Sequence, residues 1–328
     1  MTFLKQLVKR ETKVTDKKLK VSVAVITYKQ EQFIGHTLES IVSQKTNFDY
    51  EVIVGDDCSP DNTAAIVKEY AEKYPDIIVP LIREKNMGMA ANEGDVCAHA
   101  RGEYLAFLEG DDYWIDENKL QKQVDFMDAH PEYVACYGHI IIVNEKDERN
   151  EDREKYSPYL KRSGDYTVRD LEDYMLPGQT GTSFFRKSEY DKMVARSKEI
   201  GFDQNKMTDI NLVILMLAAG KIHVAEDVYT AYRYMLAPES GSWSSKNDSY
   251  SIDNLMNYIY GLKDMEKLAG NLGISLDFDA RRKYEWDKLM DNIKSFKSED
   301  VKLIKKTLTD DSNDKLRFTL HKVRRFIK

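Results

Sequence analysis

An α/β fold, built on a mostly parallel sheet flanked by helices, is predicted by three observations. Apolar runs at residues 21–27, 50–55, 77–82 and 104–108 alternate with helix-patterned segments at 30–43, 61–74 and 88–100, the spacing of successive βαβ units. Each apolar run is followed at once by polar residues, where open α/β sheets keep their ligand crevice. The fourth run, Tyr104-Leu-Ala-Phe-Leu108, stops at Glu109-Gly110-Asp111-Asp112, three carboxylates where a strand should end.

Taken in order, Val21–Thr27 (VSVAVIT) reads as a buried strand, and Gln30–Ser43 as a helix with Phe33, Ile34, Leu38, Ile41 and Val42 on one side. Tyr50–Gly55 is the second strand and Asp61–Tyr74 the second helix. Ile77–Ile82, Gly88–Ala100 and Tyr104–Leu108 continue the alternation. Tyr133–Val143 reads as one strand. Residues 144–165 are charge-rich without apolar periodicity and read as a long loop, either a solvated excursion or a lid. Gly178–Arg186 reads as a strand returning to the sheet. Thr208–Gly220 is a helix, followed by short strands at Ile222–Val224 and Tyr229–Tyr234, and from Ser249 onward the chain reads as helical. The expected organisation is a basic amphipathic arm at 1–20, a catalytic domain at 21–240 and a helical appendage at 241–328.

Composition narrows the function. A chain of 328 residues with 42% hydrophobic residues can bury a substantial core, and a net charge of −7 argues against a nucleic-acid partner. Cys58, Cys97 and Cys136 form no CxxC pair, which fits a reducing compartment and not a structural zinc site. The histidines show no metalloprotease spacing. The longest apolar run, Leu212–Ala219, falls far short of the roughly 18 residues of a membrane span. A cytoplasmic location is expected.

The polar residues at the strand ends suggest a chemistry. Crowded carboxylates repel one another and resist desolvation. A bound Mg2+ or Mn2+ at Asp111 and Asp112 would relieve that conflict, because these cations take oxygen ligands and leave positions for water and phosphate. The plainer alternative is an acidic loop ahead of a helix starting near Asp116. Asp56 and Asp57 follow the second strand, where a carboxylate can accept a base imide N–H or ribose hydroxyls, while Ser59 and Asp61 suit helix capping. Arg83 and Asn86-Met87-Gly88 follow the third strand, as a ribose or phosphate contact at a helix start or as a simple turn. GxGxxG and GxxxxGK[ST] are both absent.

The ordered segments VITYKQEQFI, EVIVGDDCSPDNT, REKNMGMAANEG and GEYLAFLEGDDYW resemble the inverting GT-A glycosyltransferases of family two, over about residues 21–240 and most strongly through residue 130. The resemblance implies a Rossmann-like GT-A sheet and transfer of a sugar from a nucleotide-diphosphate donor. By it, Thr27, Tyr28 and Glu31 border the nucleoside. Asp57, with Asp56 beside it, reads the base. Asn86 and Gly88 belong to the ribose and phosphate region. Glu109-Gly-Asp111-Asp112 replaces the family's D-x-D, with Glu109 where Asp is usual. Asp209 is implied as the base, because it precedes an apolar helix, then Gly220-Lys221, then Tyr232-Arg233; the plainer alternative is an N-cap or first-turn acid. Arg233 then reaches a diphosphate oxygen or forms a surface ion pair. Thr182, in Gly181-Thr182-Ser183, is a candidate donor-sugar contact, and Trp114 and Trp243 are candidate acceptor platforms or, as such rings more often are, core.

Residues 315–328 carry six Lys/Arg and no acid, with Leu316, Leu320, Val323 and Ile327 at helical spacing. This basic amphipathic segment either packs on the appendage or lies on an anionic membrane surface at the inner face of the cell membrane. The resemblance implies a nucleotide-sugar donor, UDP by default, and a saccharide or lipid-linked saccharide acceptor in surface polysaccharide biosynthesis. Two rival readings are a sugar nucleotidyltransferase, which lacks its Gly-rich basic signature here, and a non-catalytic sugar-nucleotide-binding or scaffold protein.

Overall fold

The computed structural model describes residues 18–235 and 252–291. They divide into two compact units, one of residues 18–167 and 175–235, the other of 168–174 with 252–291.

The first unit is a nine-stranded sheet with helices around it. Strands β1 (Val21–Thr27), β2 (Tyr50–Asp56), β3 (Ile78–Ile82) and β4 (Tyr104–Glu109) form a parallel block in the order β3-β2-β1-β4. Right-handed crossovers are the rule for such connections, and α1 (Ile34–Val42), α2 (Thr63–Lys73) and α3 (Met89–His99) connect the block. β1 and β2 are buried nearly throughout, which explains their unbroken apolar sequence: strands covered on both faces do not alternate. Val25 pairs with Val54 and Leu108, and Ile34, Leu38 and Ile41 of α1 join the same core. Each of these fully buried aliphatic side chains contributes about 1.5–3 kcal/mol of transfer free energy.

Register is what assembles the crevice. Thr27 is opposite Asp56, Ile26 is opposite Glu109, and Asp56 is opposite Ile82. The polar residues that end the four strands therefore share one edge of the sheet.

Beyond β4 the directions mix. β8 (Phe184–Arg186) is antiparallel to both β4 and β6 (Tyr133–Val143), and β6 is parallel to β9 (Lys221–Arg233). β5 (Tyr113–Trp114) and β7 (Gly164–Tyr166) pair antiparallel to β9. Thus β1–β4, β6 and β9 point one way and β5, β7 and β8 the other, a mostly parallel sheet as expected.

Several elements differ from the sequence reading. The first helix begins at Ile34, not Gln30, because Gln30 is held in a turn: it accepts from Phe33 and Ile34 through its carbonyl and donates its N–H to Thr63 Oγ1 at 2.9 Å. Residues 144–165 are not a bare loop. They contain α5 (Glu151–Lys155), after α4 (Lys119–Ala129), and lead into β7; Glu154 ties the segment down by accepting from Ile142 N and from Arg149. Local ion pairing satisfies its charges without a hydrophobic face. Only Phe184–Arg186 of the expected strand at 178–186 pairs as a strand, after a 3-10 turn at Thr180–Thr182. The two short strands after residue 221 are one 13-residue strand, since pairing with β6 continues through register shifts. The helix α7 (Lys187–Glu199) was not anticipated; its polar sequence leaves only Tyr190, Met193 and Ser197 buried. It precedes α8 (Asp209–Ala219).

The second unit contains α6 (Val168–Glu172), α9 (Ile252–Asn271) and α10 (Asp279–Asp291). Ile259, Leu262, Leu268, Ala269, Phe278 and Trp286 are buried in it, and the Arg281 guanidinium lies 4.9 Å from the Tyr174 ring. The expectations for residues 1–17, Trp243 and 315–328 fall outside the described residues. Among the described residues no helix is long and apolar enough to cross a membrane.

Candidate active site

At the ends of β1–β3 the carboxylates organise the backbone. Both oxygens of Asp57 accept main-chain N–H groups, from Met87 at 2.7 Å and Gly88 at 2.9 Å, while Asn86 Nδ2 donates to the Asp57 carbonyl at 3.0 Å. Asp57, expected to read a base, thus shapes the Asn86-Met87-Gly88 turn; Gly88, at φ +85°, starts α3 in a conformation suited to glycine. Asp56 is fully buried. Its Oδ2 accepts from Ser59 N at 3.2 Å, and its Oδ1 has no partner among the described residues. Glu31 accepts from Asn62 N at the start of α2 and so ties the segment after β1 to that helix, while Tyr28 is exposed. Arg83 pairs with Asp95 at 2.6 Å and reaches Asn92 Oδ1 at 3.3 Å. A cavity of about 420 Å³, lined by Arg83, Glu84, Lys85 and Met87, adjoins this end. Lys29 and Cys58, just past β1 and β2, hold left-handed φ values of +59° and +62°, local strain of the kind found at ligand clamps.

The acidic loop after β4 is packed from behind. Gly110 is required there, since a Cβ would collide with the Gln30 side chain and approach Thr27 Oγ1 to 2.6 Å. Thr27 Oγ1 itself donates to Gln30 Oε1 at 2.6 Å. Asp112 is buried, and both its oxygens are taken: Oδ1 by Arg233 N at 2.7 Å and Oδ2 by Gln179 Nε2 at 2.8 Å. Gln179 Nε2 also donates to Glu109 Oε2 at 2.9 Å. Asp111 is only half-buried. Burial drives Glu109 and Asp112 well above the carboxylate range, helped by neighbouring acids, and moves Asp111 up to about 6, against the pull of Arg233 and Gln30. Crowded carboxylates that resist ionisation together are the environment a hard cation stabilises. Among the described residues no three His, Cys, Asp or Glu side chains form a complete metal cage. One or two carboxylates with phosphate and water is the usual Mg2+ or Mn2+ arrangement, and Asp111 has the oxygens for it.

Arg233 does not reach into the crevice. Its Nε donates to the Asp111 carbonyl at 2.9 Å, Nη1 to the Asn144 carbonyl at 2.9 Å, and Nη2 pairs with Asp147 at 2.7 Å, with the guanidinium 4.4 Å from the Phe33 ring. The expected diphosphate contact is corrected to a buried clamp behind the loop. Trp114 is likewise no acceptor platform: it is buried, donates Nε1 to the Gly181 carbonyl at 2.8 Å and covers the Lys119 ammonium at 4.2 Å. Thr182 is fully buried with its hydroxyl on the Gln179 carbonyl, so it meets no donor sugar.

Asp209 opens α8 as its first residue. Thr208 is the N-cap, in a reciprocal capping box with Asn211, which leaves Asp209 exposed at the crevice with Oδ2 accepting from Thr180 Oγ1 at 2.9 Å. Desolvation by the surrounding protein raises its pKa, with the Thr180 bond pulling it back. Glu93 of α3 is pushed up to about 7 by burial and by the charge of Asp209. Tyr159 and Tyr232, both half-buried with rings 6.5 Å apart edge-to-face, lie within electrostatic reach of Glu109 and Asp112, Tyr159 also of Asp209.

Gln179, Thr180, Gln30, Glu93 and Tyr159 were not singled out in the sequence. Gln179 and Thr180 adjoin the candidate Thr182, and Tyr159 is an aromatic within a charged stretch; those are the signals the sequence carries.

Residues 22–193 match the family model described as Glycosyl transferase family 2. An uncharacterized protein of Mycobacterium tuberculosis, Rv1520, is 29% identical over 254 residues, covering 77% of this chain and 72% of that one. The minor teichoic acid biosynthesis protein GgaB of Bacillus subtilis is 34% identical over 110 residues, 33% of this chain and 12% of its own length. The crystal structure of S. aureus TarS 1-349 in complex with UDP-GlcNAc superposes with a TM-score of 0.55 at 19% identity, covering 86% of this chain and 83% of that one, a likeness of fold.

Proposed function

The chain belongs to glycosyl transferase family 2, and from that premise we propose that it transfers a sugar, with inversion and with a divalent cation, from a nucleotide-diphosphate donor to a hydroxyl of a saccharide or lipid-linked saccharide acceptor. UDP is the first donor nucleotide to test, given the UDP-GlcNAc in the complex of similar fold. A place in surface polysaccharide biosynthesis is supported by the likeness to GgaB.

The observation that carries this reading is the closeness of two acidic groups with opposite tasks. The Asp111 loop and Asp209 come from distant parts of the sequence and meet on neighbouring residues of one turn, through Gln179 and Thr180. Asp209, open to the crevice, takes the acceptor hydroxyl's proton. The acceptor oxygen forms its bond to the anomeric carbon as the bond from that carbon to the diphosphate oxygen breaks, and the electron pair leaves with the diphosphate. Asp111, with Glu109 beside it, is the group that would hold Mn2+ or Mg2+, which supplies charge stabilisation for the departing diphosphate. The Asn86-Met87-Gly88 turn and the cavity by Arg83 receive the nucleoside. Tyr159 and Tyr232 offer faces for a sugar ring.

Calorimetric titration with UDP, GDP and dTDP, with and without Mn2+, tests the reading. UDP affinity that rises with Mn2+ is expected. Absence of nucleotide binding under every condition would overturn it.

A further inference from the structure

Gln179 is buried with an extended backbone, and its amide has one possible orientation. Oε1 accepts from Gly181 N at 2.6 Å, so the NH2 group must face Glu109 and Asp112. The turn beneath it is closed by many bonds. Thr182 N and Oγ1 donate to the Gln179 carbonyl at 2.9 and 2.8 Å, and Ser183 N and Oγ donate to the Thr180 carbonyl at 3.0 and 2.6 Å. The Gly181 carbonyl accepts from Trp114 Nε1 at 2.8 Å and the Thr182 carbonyl from Gln123 Nε2 at 2.9 Å. Every carbonyl of residues 179–182 is therefore engaged, and two adjacent side chains project from the turn onto two separate acidic groups.

We propose that Gln179 and Thr180 are positioning residues of the transfer reaction: Gln179 fixes the carboxylates flanking Asp111, and Thr180 fixes Asp209, so that one rigid turn sets the spacing between the cation-binding loop and the base. The inference rests on the proposed function and assigns roles to two residues that there mark only where the acidic groups meet. It follows from directional chemistry. The Thr180 hydroxyl engages Oδ2 of Asp209 and leaves Oδ1 as the proton acceptor. A Gln at 179 can bridge two carboxylates because its NH2 carries two donors and no charge; a cation there would compete with the metal, and a carboxylate would add repulsion. A misplacement of about 1 Å in such a constellation costs about 100-fold in rate.

The test uses the full chain and three variants, Thr180→Val, Thr180→Ser and Gln179→Met. Calorimetry with UDP is run with and without Mn2+. Turnover is measured with whichever sugar nucleotide the wild type consumes, in water, from a panel of UDP-glucose, UDP-N-acetylglucosamine, GDP-mannose and dTDP-rhamnose. Thr180→Val is expected to lower kcat by about 10–100-fold with the Mn2+-dependent gain in UDP affinity intact, and Thr180→Ser to recover to within about threefold of wild type. Gln179→Met is expected to cut the Mn2+-dependent gain by about 10-fold while metal-free UDP affinity stays within about twofold. A Thr180→Ser variant as slow as Thr180→Val, or a Gln179→Met variant that loses metal-free and Mn2+-supported binding equally, would mark the turn as scaffold only and overturn the inference. Variants that match the wild type would overturn it as well. A wild type that binds no nucleotide and consumes no donor overturns the proposed function, and the inference with it.

Discussion

Arg233 donates its main-chain N–H to Oδ1 of Asp112 at 2.7 Å, while its Nε holds the carbonyl of the neighbouring Asp111 at 2.9 Å. The last residue of β9 thereby carries the acidic loop from behind, and it does so fully buried against Phe33.

Arg233→Ala should therefore act through stability. It strands the Asp111 carbonyl, takes one of two donors from the Asn144 carbonyl and removes one partner of Asp147, a loss of about 2–4 kcal/mol. Thermal unfolding and UDP titration of the same sample separate the roles. A lowered Tm with weaker binding in proportion is expected; weakened UDP binding at an unchanged Tm would return Arg233 to the diphosphate.

The two aspartates of the loop should behave differently on amidation. Asp111 is the half-buried member, and Asp112 has both oxygens occupied by protein donors. Asp111→Asn is expected to abolish most of the Mn2+-dependent gain in UDP affinity, about 10-fold or more, with Tm unchanged or raised because a like charge is gone. Asp112→Asn should instead lower Tm, since an amide NH2 would face the N–H of Arg233 or the NH2 of Gln179. The reverse pattern in paired calorimetry and melting curves would make Asp112 the cation ligand.

Asp209→Asn should separate chemistry from binding. The side chain keeps its size and can still accept from Thr180, but cannot take a proton. A fall in kcat of about 100–10,000-fold is expected with UDP affinity within about twofold of wild type. A variant with normal turnover would place the base elsewhere, with Glu93, pushed up to about 7, the first alternative.

The parallel block was legible in the sequence because its strands are covered on both faces and its ligand edge is written as strand ends: Thr27, Asp56, Arg83 and Glu109 all lie where the pattern indicated. What those side chains do was less legible. Asp57, Glu31, Thr182, Trp114 and Arg233 are polar or aromatic groups at the right places, and each is committed to the protein by partners 2.7–2.9 Å away. Sequence spacing reports that a carboxylate stands at a strand end; it does not report which main-chain N–H groups a turn aims at it. Gln179 was missed for the same reason, because its meaning comes from Glu109 and Asp112, about 70 positions away. The segment 144–165 lacked periodicity because charge pairing, not a buried face, holds it.

Tyr159 makes a prediction about the acceptor. It emerges from that charged segment, with Leu160 N bonded to the Leu176 carbonyl at 2.8 Å fixing the chain beside it. Tyr159→Ala should raise the KM for a saccharide acceptor about 10-fold, the scale of a lost aromatic contact of about 1–1.5 kcal/mol, and leave UDP affinity unchanged; Tyr159→Phe should retain most of the stacking. Equal losses in acceptor and nucleotide binding would assign the ring to general packing.

Lys119 supplies the pH prediction. It is fully buried, with Nζ donating to Gln123 Oε1 at 2.7 Å and lying 4.2 Å from the Trp114 ring, and burial lowers its pKa to about 7 from 10.5. Between pH 7 and 10.5 the unfolded chain holds a proton here that the folded chain lacks, so this group makes stability rise with pH through that window. Below pH 7 both states are protonated, the slope vanishes, and the cost of the buried charge is fully present. Lys119→Met removes the titration. Its stability relative to wild type should be most favourable near pH 6 and should fall by about 2 kcal/mol between pH 7 and pH 9, since each unit inside the window is worth about 1.4 kcal/mol. Urea titrations of both proteins at pH 6, 7, 8 and 9 read this directly, because the cysteine and tyrosine titrations common to both cancel in the difference. A difference that stays flat across the series would mean that Lys119 remains charged in the fold, stabilised over the Trp114 face by the cation–π contact.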